Sequence, residues 1–157
     1  MSLASPKNAV RNGAAFRLGI VAARFNATLV DALLTRALAT LRAAGVKERN
    51  VMVVRVPGSH EVPWAAKQLA ARGGRDCVIA LGVLIGGETN HHELVGQSVS
   101  HALQAIAVST GVPVINGVIV AHTAAQARAR TTGKINRGAE FAHAALDMAA
   151  LKKGRTR

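Results

Sequence analysis

"CVIALGVLIGGETNHHELV", residues 77–95, decides how this chain is read. Its first nine residues, Cys77 to Ile85, are apolar or glycine, with no polar alternation. A strand of that kind has both faces covered, as in a parallel sheet between helix layers. A polar turn with two glycines follows, and a helical pattern opens after it. The same joint recurs along the chain. "FRLGIVAA" (16–23) reads as a strand and leads into "NATLVDALLTRALATLRAAG" (26–45). There Leu29, Val30, Leu33, Leu34, Ala37, Leu38 and Leu41 recur at helical spacing, and Gly45 is placed to end the helix. "VMVVRV" (51–56) leads into "PGSHEVPWAAKQLAARGG" (57–74), where Pro63 is tolerable only near a helix start. After the polar turn, "ELVGQSVSHALQAIAVSTG" (93–111) carries an apolar stripe of Leu94, Val95, Val99, Leu103 and Ile106. "VPVINGVIV" (112–120) is a fourth strand, and "TAAQARAR" and "GAEFAHAALDMAALKK" close the chain as helices.

Strand–helix units repeated four times predict an α/β fold: a three-layer αβα sandwich with a central four-stranded parallel sheet. The expected organisation is a loose N-terminal arm over 1–14, a single domain over 15–152 and a basic tail over 153–157. Ligands of such sheets bind beyond the carboxyl ends of the strands. The informative residues are therefore "RFN" (24–26), "PGSHE" (57–61), "GGETNHHE" (86–93), and Asn116 or "AHT" (121–123) around the end of the fourth strand.

Composition bounds the rest. A chain of 157 residues, half of them apolar, is one domain with a real core rather than a disordered segment. The only cysteine, Cys77, has no internal disulfide partner, which fits a reducing, cytoplasmic setting. "MSLASPKNAVRNG" (1–13) lacks the apolar core of a leader, and no apolar run reaches the ~20 residues of a membrane helix. The net charge of +12 would attract phosphate or nucleic acid. However, the basic residues are scattered, tyrosine is absent, and the few aromatics are not interleaved with them as a base-stacking platform requires. Nucleic acid and membrane are therefore not expected partners.

The turn after Ile85 admits three chemical readings. Zinc pairs of histidines on a helix are four residues apart, whereas His91 and His92 are adjacent and diverge by roughly 100°. Val95 and Gly96 occupy the positions four beyond, so no metal is expected here. A phosphate loop suits Gly86, Gly87 and Thr89 before a helix start, with Glu88 facing outward. A proton-transfer role suits His91, which can change charge near neutral pH. An ordinary strand-to-helix turn with a solvated histidine would look the same.

The full pattern resembles the lumazine synthase family from about Phe16 to Leu151. The resemblance rests on "GIVAARFN", "VPGSHEVPWAAKQLA", "ALGVLIGGETNHHELV", "TGVPVINGVIV" with Gln126 and Arg130, and "NRGAEFAHAALDM", in that order. It implies a flavodoxin-like sandwich without metal or organic cofactor. The implied reaction condenses 5-amino-6-ribitylaminouracil with 3,4-dihydroxy-2-butanone 4-phosphate, giving 6,7-dimethyl-8-ribityllumazine, phosphate and water. Carried over by the resemblance, Phe25 stacks on the pyrimidine ring, and Asn26, Ser59 and Glu61 hold the ribityl chain. His60 stands beside them. Backbone groups of Leu84 and Ile85 meet the uracil edge. Gly87, Glu88 and Thr89 form the phosphate turn with Arg130, His91 shuttles protons, and Arg137 replaces a ring-contacting lysine. Arg130 and Arg137 would come from a neighbouring subunit, which implies a homo-oligomer, a pentamer or a multiple of pentamers.

The chain departs from the family pattern at other places too, including a loop between Arg130 and Asn136 one residue shorter than common. Gly86 stands where arginine is common, His60 and Asn116 stand where aromatics are usual, and "HHE" replaces His–aromatic–Asp. Loss of one phenylalanine wall removes up to roughly 1.5–3 kcal/mol of apolar burial, or one to two orders of magnitude in affinity. The competing expectation is therefore a weakly active or inactive paralogue that binds lumazine or flavin.

Overall fold

A computed structural model describes residues 11–154. Its elements run β1 (Leu18–Ala23), α1 (Ala27–Ala43), β2 (Val51–Val56), α2 (Val62–Ala71), β3 (Cys77–Ile85), α3 (His91–Thr110), β4 (Val114–Ala121), α4 (Ala124–Thr131) and α5 (Arg137–Lys152). Short 3-10 turns over Glu48–Asn50 and Ser59–Glu61 precede β2 and α2. The four strands are parallel in the order β2-β1-β3-β4. The expected three-layer sandwich is the observed one.

Side-chain alternation along β1 and β3 builds the two cores. Leu18, Ile20 and Ala22 of β1, with Cys77, Ile79, Leu81 and Val83 of β3, face α1 and α5. Val21, Ala23, Val78 and Ala80 face α2 and α3. Both sides of β1, and of β3 as far as Val83, are dry, which is why neither strand carries a polar residue. Burying one Leu or Ile side chain fully is worth roughly 1.5–3 kcal/mol, and central β1 and β3 collect this on both faces.

The edge strands depart from the expectation that helices cover every strand: β4 has Val120 44% exposed, and β2 departs further along its length. It lies at the sheet edge, and Met52 and Val53 are about two-fifths exposed there. Its apolar composition is not used up by the single chain.

Two polar devices fix the ends of the fold. Asp76 is buried; its Oδ2 accepts the Arg17 N–H at 2.7 Å and lies 3.3 Å from Lys153 Nζ. This joins the starts of β1 and β3 to the end of α5. Thr123 and Asn136 cap α4 and α5 by accepting the N–H groups of Gln126 and Ala139. The described part of the expected loose arm, residues 11–14, is instead anchored. Arg11 Nε pairs with Asp147 at 2.8 Å, and the Gly13 N–H donates to the Ala44 carbonyl at 2.7 Å. Residues 1–10 of that arm, and 155–157 of the expected tail, lie outside the described residues.

No described helix is long and apolar enough to cross a membrane.

Candidate active site

The pairing pattern of β3 opens a cavity. β1 pairs with β3 only as far as Ala22–Leu81, whereas β4 continues to Ala121–Ile85. The last four residues of β3 therefore have no strand on the β1 side. The chain leaving β1 turns away there. The Arg24 and Phe25 N–H groups donate to the Pro57 carbonyl, and Asn26 takes a left-handed conformation (φ 55°) at the start of α1. The Asn26 amide donates to the Val83 carbonyl at 2.8 Å, which pins this turn to the unpaired edge.

The space above that edge is a cavity of about 420 Å³, within the range of small-molecule sites. Phe25 and Asn26 line it from the β1 turn; Gly58, Ser59, His60 and Glu61 from the β2 turn; Val83, Leu84 and Ile85 from β3. Gly87, Thr89, His91, His92 and Val95 line it from the last turn and α3. Phe25 is 74% exposed, so it is a lip over the cavity and not a core residue at a strand end.

Each polar group has a distinct environment. The Glu61 Oε2 accepts the Gly58 N–H at 2.8 Å, closing the 3-10 turn, and its Oε1 lies 4.0 Å from His60 Nδ1. Ser59 is buried, and its hydroxyl has no hydrogen-bond partner. It sits directly over Gly82, where an added Cβ would lie 2.4 Å from its oxygen. The start of α3 is open: Asn90 makes no side-chain cap, so the first N–H groups of the helix point out unpaired by it. His91 is exposed at the first helical position. Glu88 is exposed and outside the cavity lining.

Asn116, Arg130 and Arg137 are not in this cavity. They line a second concavity of about 290 Å³ together with Val118, Val120 and Phe141. There Asn116 Nδ2 donates to Ser100 Oγ at 3.2 Å, Arg130 donates to the Gln126 carbonyl at 2.9 Å, and Arg137 pairs with Glu140. The residues assigned to one site by resemblance thus fall into two groups on one chain. Sequence reasoning gave no site role to Gly58, Val83, His92 and Val95 of the first, although Gly58 and His92 lie in the stretches it singled out. Val95 was accessible, since it follows His91 by one helical turn. His92 was expected to point away from whatever His91 meets, yet both line the cavity.

A family model described as 6,7-dimethyl-8-ribityllumazine synthase matches residues 15–153. The chain belongs to that family. Its members are transferases of riboflavin biosynthesis. The relative from Thermococcus gammatolerans with that name is 45% identical over 141 residues, covering 90% of each chain. Those from Xanthomonas campestris pv. campestris and Halorhodospira halophila are 42% and 43% identical, covering 86% and 87% of this chain and 88% of each relative. The similarity spans both concavities, so family membership does not rest on one motif.

Proposed function

We propose that the chain catalyses the family reaction in a site made by two copies, the first concavity of one facing the second concavity of the next. The observation that carries this is the division itself. His91, Thr89, Gly87, Phe25, Ser59 and Glu61 surround one cavity, while Arg130, Arg137 and Asn116 surround another. A phosphorylated substrate needs an anion site, and no arginine among the described residues lines the first cavity. The open start of α3 supplies N–H donors and the positive end of a helix dipole, and an arginine from a second copy completes the charge.

Each residue takes a role its environment supports. Phe25, exposed at the lip, stacks on the pyrimidine ring. The unpartnered Ser59 hydroxyl and the Asn26 amide hold ribityl hydroxyls, with Glu61 and His60 beside them. Gly86 donates to the Ala121 carbonyl, so strand alternation turns residues 84 and 86 toward β4 and residues 83 and 85 toward the unpaired edge. Ile85 rather than Leu84 therefore offers its backbone N–H and carbonyl to the uracil edge, and Leu84 contributes its side chain. Gly87 and Thr89 cradle phosphate with Arg130, and Glu88 acts only through its backbone. Arg137 and Asn116 approach the ring from the second copy. His91 moves protons as the imine forms and phosphate leaves. Holding two substrates in reactive geometry supplies much of the rate without metal or organic cofactor. The assembly is a closed ring, a pentamer or a multiple of pentamers, working in the cytoplasm.

The test is turnover with the two substrates, read as appearance of the lumazine chromophore, together with sedimentation of the same sample. An active oligomer is expected. A monomer that turns over would overturn the shared site. An oligomer that binds lumazine or flavin without turnover would overturn the catalytic reading in favour of a binding protein.

A further inference from the structure

We propose that His92, Glu93 and His122 bind a divalent transition-metal ion of the zinc type at the rim of the first cavity. His92 and Glu93 lie in the first turn of α3, and His122 follows β4. One donor atom from each lies within 4.8 Å of the other two. His122 Nδ1 is 3.8 Å from Glu93 Oε1, and the two imidazoles meet edge-on with centroids 5.8 Å apart. Tetrahedral zinc with bonds of about 2.0–2.1 Å holds its donors roughly 3.3 Å apart, so modest side-chain rotations close the set. Glu93 and His122 have the freedom to make them, since both side chains are about half exposed or more.

A second observation comes from His92 itself. Both of its ring nitrogens are shielded from solvent and have no hydrogen-bond partner. Shielded polar atoms are costly to leave unpaired, and a metal bond would satisfy one of them. Glycine at 86 contributes as well. A Cβ there would lie 2.6 Å from the His122 carbonyl oxygen, so Gly86 permits the close approach that brings His122 to α3. The His122 N–H donates to Gln126 Oε1 at 2.9 Å, which fixes the backbone that carries this ring.

Two imidazoles and a carboxylate select the ion. This set suits Zn²⁺, or Ni²⁺ and Cu²⁺, whereas Mg²⁺ and Ca²⁺ prefer all-oxygen shells. The positive helix end and the net charge of +12 oppose a cation, and only Glu93 offsets them locally. A dissociation constant on the order of 1 μM is therefore expected rather than the far tighter values of structural zinc sites. The adjacent spacing of His91 and His92 rules out a one-helix histidine pair; the second imidazole comes from another element.

The experiment uses the full chain, free of any polyhistidine tag and washed with chelator. Zn²⁺ is titrated calorimetrically, and retained metal is counted after gel filtration. One ion per chain is expected, with a rise of a few degrees in unfolding temperature on loading. His122→Ala and His92→Phe should each weaken binding at least tenfold and abolish that rise, while His91→Ala should retain both. His122 is exposed, so its variant is expected to fold; the melting curve without metal checks this. Absence of saturable binding, or binding that survives both His122→Ala and His92→Phe, would overturn the proposal. So would binding lost in His91→Ala alone, because the ion would then sit on the reaction histidine.

Discussion

Ser59 and His91 face the same cavity, and their truncation should separate binding from chemistry. The Ser59 hydroxyl is buried without a partner, an arrangement that costs about 1–3 kcal/mol in the free protein. Ser59→Ala should therefore leave thermal stability unchanged or raise it. It should also raise KM for the ribityl substrate about tenfold, because one hydrogen bond is lost on binding. Melting curves and KM together check the opposite signs; a destabilised variant with unchanged KM would make Ser59 purely structural. His91→Ala should act on rate instead. Loss of a general acid–base group costs about 10²–10⁴ in turnover, while binding of the ribityl substrate stays nearly constant. Equal losses in both would show that the residue shapes the turn rather than moves protons. The motifs after each strand were legible because parallel sheets put ligands there. The exposure of Phe25, the unpaired Ser59 hydroxyl and the approach of His122 to His92 were not, since they depend on distances between elements.

Central β3 carries the cavity at one end and Cys77 at the other. Burial pushes the Cys77 thiol up to about 12 from 9.0; a hydrogen bond with the Val78 backbone opposes this and nearby Asp76 adds to it. Between about pH 9 and 12 the unfolded chain has released this proton while the folded chain retains it. The folded state then binds more protons, so the stability contributed by the neutral thiol is complete below pH 9 and is lost as pH rises through that window. Cys77→Ala should show a shallower alkaline loss of stability in denaturant titrations from pH 8 to 11, although its neutral-pH stability is lower through the cavity it leaves. An unchanged alkaline slope would mean that other groups control this range. At this scale the strands and helices were legible almost throughout, because two-sided burial writes continuous apolar runs. The exceptions are the edge strands β2 and β4, whose apolar runs resemble the central strands in sequence. Composition cannot distinguish a strand covered by its own helices from an edge strand left for another copy.

Two features of the single chain point to a second copy, as proposed above. Met52 and Val53 of edge strand β2 are exposed, as are Trp64, Leu94 and Val108. Such exposed apolar surface marks interfaces. The residues assigned to one reaction are divided between two concavities. The proposed ring of identical heterologous contacts would resolve both, since each copy would present one concavity to each neighbour. This arrangement makes a prediction that no single-chain site can satisfy. His91→Ala and Arg130→Ala should each abolish most activity when assembled alone. Coexpressed in equal amounts, they should form mixed rings. A junction is intact when the copy giving His91 is the arginine variant and the copy giving Arg130 is the histidine variant. Random assembly makes this about one junction in four, so roughly a quarter of wild-type activity should return. Mixing the two after separate assembly, without dissociation, should restore nothing. If coexpression fails to raise activity above either variant alone, while sedimentation shows mixed rings, His91 and Arg130 do not share a site.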